Sequence, residues 1–337
     1  MKIVIIRQDH LGDLVLTTPL IRALSLAGHQ VTVIARRSNL PIMEKNPHLH
    51  FLIALEEIVP SFPRHSWKLG MAVRKLSPDL VIVPHARPLN LIVGLRCGYF
   101  GPILSMWGGI AALSLFCRNL RTQLDRNPRH MADLCLDFAR QLKADEKGLV
   151  PEVFVSDAEK NRIREMVIEK FGRCRLVIIH PGCSGNTCNL PPNIYAELAR
   201  IVIQKTDYDV IVTGSTLEKN NRENMVFEGI NSQGYWNSMG NFSLRELAVV
   251  ISIADVLVSV GTGPMHIASA LGVPTVSPFC KRVGICKEVW GNLGAISSEL
   301  EPDGIDCRSR SNTTHCNYEN QITAEMLYAQ IVNILRL

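Results

Sequence analysis

Short apolar, β-branched runs recur along the chain, each bounded by turn residues and followed by an amphipathic stretch. In the first half they are Ile3–Ile6, Val31–Ala35, Phe51–Leu55 and Leu80–Val83. In the second half they are Leu176–Ile179, Val210–Thr213, Val256–Val260 and Val273–Ser277. Runs that are apolar throughout, rather than alternating, suit parallel strands buried on both faces. Their alternation with helical patterns predicts βαβ units, and hence an α/β fold with doubly wound sheets.

The predicted helices carry start signals. Asp13 follows Gly12 and opens a stretch reaching Ala27. Pro191 and Pro192 precede a helix whose Tyr195, Leu198 and Val202 share a face at i, i+3 and i+7. Ser243-Leu244-Arg245-Glu246 is a capping box ahead of an apolar run. Asp157–Phe171 reads as a charged helix, and Met131–Leu142 as the last helix of the first half. A length of 337 residues favours two domains. The join falls near Val150–Val155, giving domains 1–152 and 153–320. Residues 321–337 form a C-terminal helix whose packing back on the first domain is left open. No GxGxxG follows the first strand and no P-loop occurs, which disfavours a nicotinamide dehydrogenase or an NTPase.

Composition adds little, with 47% hydrophobic and 20% charged residues as in ordinary globular enzymes. Charge placement adds more. Residues 1–150 hold 19 Lys+Arg against 11 Asp+Glu, whereas residues 151–337 hold 17 against 20. The basic half fits an anionic partner, or simply a solvated face. The basic residues are not interleaved with aromatics as in nucleic-acid modules, so nucleic acid is not expected. The opening MKIVIIRQDHLGD has too short an apolar run for a signal peptide. The most hydrophobic stretch, Leu89–Cys117, contains Arg96, Pro102 and five glycines, which argues against a spanning helix. It reads as buried strand and helix, with an in-plane membrane contact as the alternative. A cytoplasmic protein is expected, a peripheral inner-membrane contact being left open. The ten cysteines are scattered through a long chain and are expected to be reduced. Cys280, Cys286, Cys307 and Cys316, with His315, have no zinc-like spacing, so no metal is expected.

Three segments could carry chemistry. Gly12-Asp13 follows the first strand, where doubly wound sheets place their ligand crevice. Asp13 there could be a general base, or a helix N-cap. Gly261-Thr262-Gly263-Pro264-Met265-His266 leaves a strand and enters the helix Ile267–Leu271. Thr262 or Gly263 can cap, and Pro264 suits the first helical position. The result is a set of free amides at a positive helix end, fit for an anion such as a diphosphate, or else only a tight turn. His180-Pro181-Gly182-Cys183-Ser184-Gly185-Asn186-Thr187-Cys188 has the small and hydroxylated composition of a phosphate-cradling loop.

Together these segments resemble glycosyltransferase family 9, the heptosyltransferases. The matching parts are KIVIIRQDHLGDLVLTTPLIRAL, DLVIVPH, HPGCSGNTCNLPPNIYAELA, DVIVTGSTLE, MGNFSLRELAVVISIADVLVSVGTGPMHIASALGVPTVSPF and a closing pattern of Cys307, Cys316, Ile322 and Glu325. The resemblance implies a GT-B fold, two Rossmann-like domains facing across a cleft, with an acceptor-binding N-terminal and a nucleotide-sugar-binding C-terminal domain. It implies an inverting, metal-independent transfer with no cofactor, in which Asp13 is the base. Donor-binding residues would be Ser184, Gly185, Thr187, Glu218, Gly261, Thr262, Gly263, Pro264, Met265 and His266. The family's default donor is ADP-heptose, and its acceptor an anionic lipid-linked lipopolysaccharide core. The basic residues Arg64, His65, Lys68 and Arg87, and the run Arg118, Arg121, Arg126 and Arg129, are candidates for that acceptor.

The chain departs from the family at two places. Where many heptosyltransferases have Asp-Ser/Thr-Gly, it has Gly261-Thr262-Gly263 without a carboxylate. Where they often carry Lys or Arg in the first phosphate loop, it has Cys188. Lys281, Arg282 or Lys287 could supply the missing cation. The departures keep two alternatives in view: a catalytically weakened GT-B-like sugar-nucleotide-binding protein, or a nucleotide-sugar-modifying enzyme.

Overall fold

In the computed structural model every paired strand runs parallel to its neighbours. The structure describes the chain apart from residues 61–66, 85–88, 106–116, 120–128, 146–147, 184, 186, 283, 295 and 303–320. It divides into two units, Met1–Phe154 and Val155–Leu337.

The first unit runs β1 (Lys2–Arg7), α1 (Leu11–Val15), α2 (Thr18–Leu26), β2 (Gln30–Ala35), β3 (Phe51–Ala54), α3 (Leu55–Ile58), α4 (Trp67–Lys75), β4 (Leu80–Val83), α5 (Leu89–Arg96), β5 (Ile103–Ser105), β6 (Cys117–Asn119) and α6 (Met131–Gln141). Its sheet order is β3-β2-β1-β4-β5-β6. The second runs α7 (Asp157–Phe171), β7 (Leu176–His180), α8 (Pro192–Lys205), β8 (Asp209–Val212), α9 (Thr216–Lys219), β9 (Tyr235–Asn237), α10 (Leu244–Ser252), β10 (Val256–Ser259), α11 (Gly263–Leu271), β11 (Thr275–Pro278), α12 (Lys287–Trp290), β12 (Ser297–Leu300) and α13 (Ala324–Leu335). Its order is β12-β11-β10-β7-β8-β9. Each sheet therefore starts at its centre, winds outward, and returns to the other side of its first strand. The reversal, between β1 and β4 in one unit and β7 and β10 in the other, opens the crevice where such sheets bind ligands.

All eight apolar runs become strands. The remaining four, β5, β6, β9 and β12, are short, and three of them, β6, β9 and β12, are edge strands, where burial on both faces is not required. β12, Ser-Ser-Glu-Leu, buries only its last residue, so no continuous apolar run marked it. Leu89–Cys117 contributes α5 and β5 among its described residues. No helix among the described residues is long and apolar enough to cross a membrane. On α8 the predicted face holds: Tyr195, Leu198 and Val202 are fully buried, each burial contributing roughly 1.5–3 kcal/mol.

The single helix expected from Asp13 to Ala27 is two. Pro19 has no amide to donate to the Val15 carbonyl, so the ladder breaks. That carbonyl instead accepts from the Thr18 hydroxyl at 2.7 Å, and the Asp13 carbonyl from the Thr17 hydroxyl at 2.8 Å. The C-terminal helix α13 contributes to the core of its own unit. Ile322, Ala324, Leu327 and Ile331 join the apolar core of the second unit, beside α8 residues Ala199 and Val202. An apolar helix face goes where a complementary core already lies open, here on the second sheet.

Candidate functional site

Asp13 lies in the crevice of the first unit, just past the carboxyl end of β1. It is the third residue of α1, not its N-cap. His10 takes the cap position, and its amide donates to Asp13 Oδ2 at 3.3 Å. The other carboxylate oxygen is held from beneath. Arg7, the last residue of β1, is wholly buried, and its Nη2 donates to Asp13 Oδ1 at 2.8 Å. Its Nε donates to the Asp13 carbonyl at 3.3 Å, and its Nη1 lies 3.3 Å from Asp9 Oδ2. Burial by itself would lower the Arg7 pKa, yet the Asp13 and Asp9 carboxylates outweigh it and hold the guanidinium above its ordinary value. The Cys135 thiol beside Arg7, on α6, is pushed up to about 11 by burial. It stays protonated at neutral pH, which leaves two carboxylates as the counter-charges.

In the second unit the segment after β10 enters α11 at the β7–β10 reversal. Thr262 is the N-cap with extended backbone, and Pro264 stands at the second helical position rather than the first. The Thr262 hydroxyl does not cap the helix. It turns back to the strand end, 3.1 Å from Ser259 Oγ and 3.3 Å from the Val260 carbonyl, while the Thr262 amide closes on that same carbonyl at 2.6 Å. Pro264 has no amide, so Gly263 and Met265 are the residues whose amides meet no protein acceptor among the described hydrogen bonds. This is the free-donor arrangement of a helix start that binds anions. Residues 261–263 are half-buried, whereas Pro264, Met265 and His266 are buried, main chain included, which leaves the stretch 261–263 as the part fit to meet a ligand.

Gly261 has a steric reason for having no side chain. A Cβ there would lie 2.6 Å from Cε1 of Phe279, the buried residue after β11. The carboxylate common at this position in the family has no room in this chain.

The loop after β7 is pinned at its far end. Asn189 donates from Nδ2 to the Pro181 carbonyl at 2.6 Å and accepts from the Tyr195 hydroxyl at 2.9 Å. Gly185 is exposed and Thr187 half-buried, and the Thr187 carbonyl accepts a long 3.9 Å contact from the Cys183 thiol. Ser184 lies outside the described residues. Cys188 packs against the apolar core of the unit. Glu218 belongs to a capping box that starts α9: its Oε2 accepts from the Ser215 amide at 2.6 Å, and its own amide donates to Ser215 Oγ at 3.2 Å. The carboxylate lies against the backbone of Gly182, where a Cβ would run into its Oε1. Nearby, buried His180 has Nδ1 3.0 Å from Thr213 Oγ1. Burial lowers the imidazole pKa, against a pull upward from Glu218. Loops after β7, β8 and β10 thus converge on one end of the second sheet.

The expected cations divide. Lys287 is paired with Glu301 at 2.8 Å, so it is committed elsewhere, while Lys281 and Arg282 follow β11 half-buried. Lys68 is exposed on α4, its Nζ 5.5 Å from the Trp67 ring centroid. Arg129 is absorbed in a network on α6: it pairs with Asp133 at 2.6 Å and Asp137 at 2.9 Å, both shared with Arg140. A guanidinium so compensated is a poor anchor for an acceptor. Arg64, His65 and Arg87 lie outside the described residues, as do Arg121, Arg126 and the Arg118 side chain. Cys307, His315 and Cys316 also lie outside them, and among the described residues no group of three His, Cys, Asp or Glu could hold a metal.

Arg7 and Phe279 join the site only in the structure. Arg7 had a signal, a charge closing the otherwise apolar run Ile3–Ile6. Phe279 had none, since its partner Gly261 is on another strand's exit loop.

Comparison with known proteins bears on the family and the fold. A family profile for glycosyltransferase family 9 (heptosyltransferase) matches residues 101–294, more than half of the chain. The chain is 21% identical over 306 residues to lipopolysaccharide heptosyltransferase 3 of Escherichia coli, covering 83% of this chain and 84% of that one. The structure is similar to a glycosyl transferase family 9 protein from Veillonella parvula DSM 2008, with a TM-score of 0.80, 20% identity and coverage of 99% and 97%. It is also similar to the E. coli ADP-heptose lipopolysaccharide heptosyltransferase II, with a TM-score of 0.77, 20% identity and coverage of 100% and 99%. A profile match over most of the second sheet, joined to agreement of fold along the whole chain, leads to one assignment: this chain belongs to glycosyltransferase family 9, the heptosyltransferases, and has their GT-B fold.

Proposed function

We propose that this enzyme is an inverting glycosyltransferase that moves heptose from ADP-heptose to an anionic, lipid-linked lipopolysaccharide core acceptor, with no metal. Asp13 takes the proton of the acceptor hydroxyl. The freed oxygen attacks the anomeric carbon, the bond from that carbon to the diphosphate oxygen breaks, and ADP leaves with the electron pair. One displacement inverts the anomeric centre.

The observation that carries this reading is the Gly263 amide, which meets no protein acceptor among the described residues and lies on the half-buried stretch 261–263 at the β7–β10 reversal. Donors fixed in place meet the charge that builds on the departing diphosphate without having to reorganise. Lys281 and Arg282 add positive charge after β11. Ser184, Gly185, Thr187 and Glu218 complete the donor side, and Arg64, His65, Lys68 and Arg87 the acceptor side. ADP-heptose as donor is taken from the name of the E. coli relative.

The test is ADP release from ADP-heptose with deep-core acceptor lipid, compared between the parent and Asp13→Ala. Loss of release in the variant supports the reading; equal rates in the two would overturn the base assignment. A thermal-shift series over ADP-, UDP-, GDP- and CMP-sugars tests the donor, since selective binding stabilises the native form. Stabilisation by another nucleotide sugar and not by ADP-heptose would reject heptose transfer from ADP.

Two observations favour a second reading. Phe279 fills the space of the family's carboxylate at Gly261, and Cys188, half-buried, packs against the core, as in a binder that no longer catalyses. ADP-heptose stabilising the protein, with no ADP released at any acceptor concentration, would select that alternative.

A further inference from the structure

We propose that Arg7 is the positioning residue for Asp13, clamping the side chain and main chain of that one residue so that a single carboxylate oxygen, Oδ2, receives the acceptor proton. This deepens the reading of Asp13 as the base and rests on it.

The argument begins with the shape of the guanidinium. Its donors form a rigid planar fork. Here the fork takes Oδ1 of Asp13 through Nη2 at 2.8 Å and the Asp13 carbonyl through Nε at 3.3 Å. Two anchors on one residue, one on either side of its Cα–Cβ bond, restrain rotation about that bond. The Thr17 hydroxyl holds the same carbonyl at 2.8 Å, so the backbone end of the clamp is fixed as well. A lysine has one compact ammonium and cannot span both acceptors in a fixed plane.

Burial gives the clamp a direction. Arg7 is 1% exposed, and the Asp13 side chain 15%. The oxygen bound to Arg7 therefore faces the protein interior. Oδ2 has one long bond, 3.3 Å from the His10 amide, and retains a lone pair for an incoming hydroxyl.

Asp9 completes the arrangement. It lies 3.3 Å from Arg7 Nη1 and is 8% exposed. When Asp13 accepts a proton its charge is lost, and a buried guanidinium with no other anion would be costly. Asp9 keeps Arg7 compensated through that step, so proton transfer does not strand the cation.

The experiment measures ADP release from ADP-heptose and deep-core acceptor for the parent, Arg7→Lys, the double variant R7M/D9N, and Asp13→Asn. The double variant removes the cation with one of its counter-charges, so it remains informative if Arg7→Lys does not fold. The expected result is a fall in kcat of about 10- to 100-fold in each Arg7 variant, the scale of a misplaced reacting group, with donor KM within about twofold of the parent. A kcat within about twofold of the parent in either Arg7 variant, or a loss confined to donor KM, would overturn the proposal. Asp13→Asn separates the two claims. If it is inactive while an Arg7 variant keeps full kcat, only the clamp fails; if it is fully active, the base assignment itself fails.

Discussion

The ring of Phe279 lies against the α-carbon of Gly261, so close that a Cβ on Gly261 would be 2.6 Å from Cε1 and 2.9 Å from Cζ. The ring belongs to a buried residue whose amide is fixed to the Leu300 carbonyl at 2.7 Å, so it cannot easily withdraw. Restoring the family's carboxylate with Gly261→Asp is therefore expected to destabilise by about 1–3 kcal/mol through overpacking. Phe279→Ala alone should also destabilise, by leaving a cavity. In the double variant the two losses should be clearly less than additive, because each change makes room for the other. Urea unfolding of the four proteins gives the coupling, and strict additivity would show that the two positions do not compete for space.

The Gly263 amide can be removed with little disturbance of the helix. Position 263 is the first residue of α11, where proline is tolerated, and Thr262 before it already has the extended backbone, φ −123° and ψ 179°, that a residue preceding proline requires. Gly263→Pro is expected to weaken ADP binding about 10-fold, the low end for a hydrogen bond to a charged group, with little change in Tm. Calorimetric titration with ADP checks it, and unchanged affinity would remove this amide from the diphosphate site.

His180 sets a pH dependence. Burial holds its folded-state pKa below the ordinary value, Glu218 opposing only in part. Protonation is then easier in the unfolded chain. The neutral ring contributes its full stability above about pH 6.5, and that contribution is lost as pH falls through the ordinary value toward the depressed one. His180→Gln should be less sensitive to acid between pH 7.5 and 5 than the parent, read from urea midpoints. Parallel curves for the two proteins would count against the assignment.

Ser269 on α11 accepts from two amides, those of Leu293 and Gly294, each at 3.0 Å, and is itself buried. Ser269→Ala leaves both donors short of their acceptor, although Gly294 retains Asn292 Oδ1 at 2.8 Å. The expected cost is about 1–3 kcal/mol. Hydrogen exchange should accelerate at Leu293 more than at Gly294, and equal protection in parent and variant would contradict the account.

Much of the fold can be read from the amino-acid order, and the reason is the range of the forces involved. A strand buried on both faces must be apolar at every position, so Ile3–Ile6 and Val256–Val260 announce themselves. Ser243 and Glu246 are three residues apart and cap α10 wherever it lies. Elements at sheet edges escape for the converse reason: β12 needs only Leu300 buried. The break at Leu16–Thr17 was also within reach, since Pro19 alone accounts for it. The apolar pattern nevertheless continues through the break and masks it.

The site divides along the same line. Sequence by itself determined the parallel α/β winding, a helix start within Thr262–Pro264 to within one residue, and the family, because periodicity, proline and glycine act over a few residues. Tertiary structure alone decided which partners those residues have: Phe279 in the space beside Gly261, Glu218 against Gly182, and Arg7 turned inward onto Asp13. Each depends on where the carboxyl ends of strands come to lie, and that is set by the order in which a sheet is assembled.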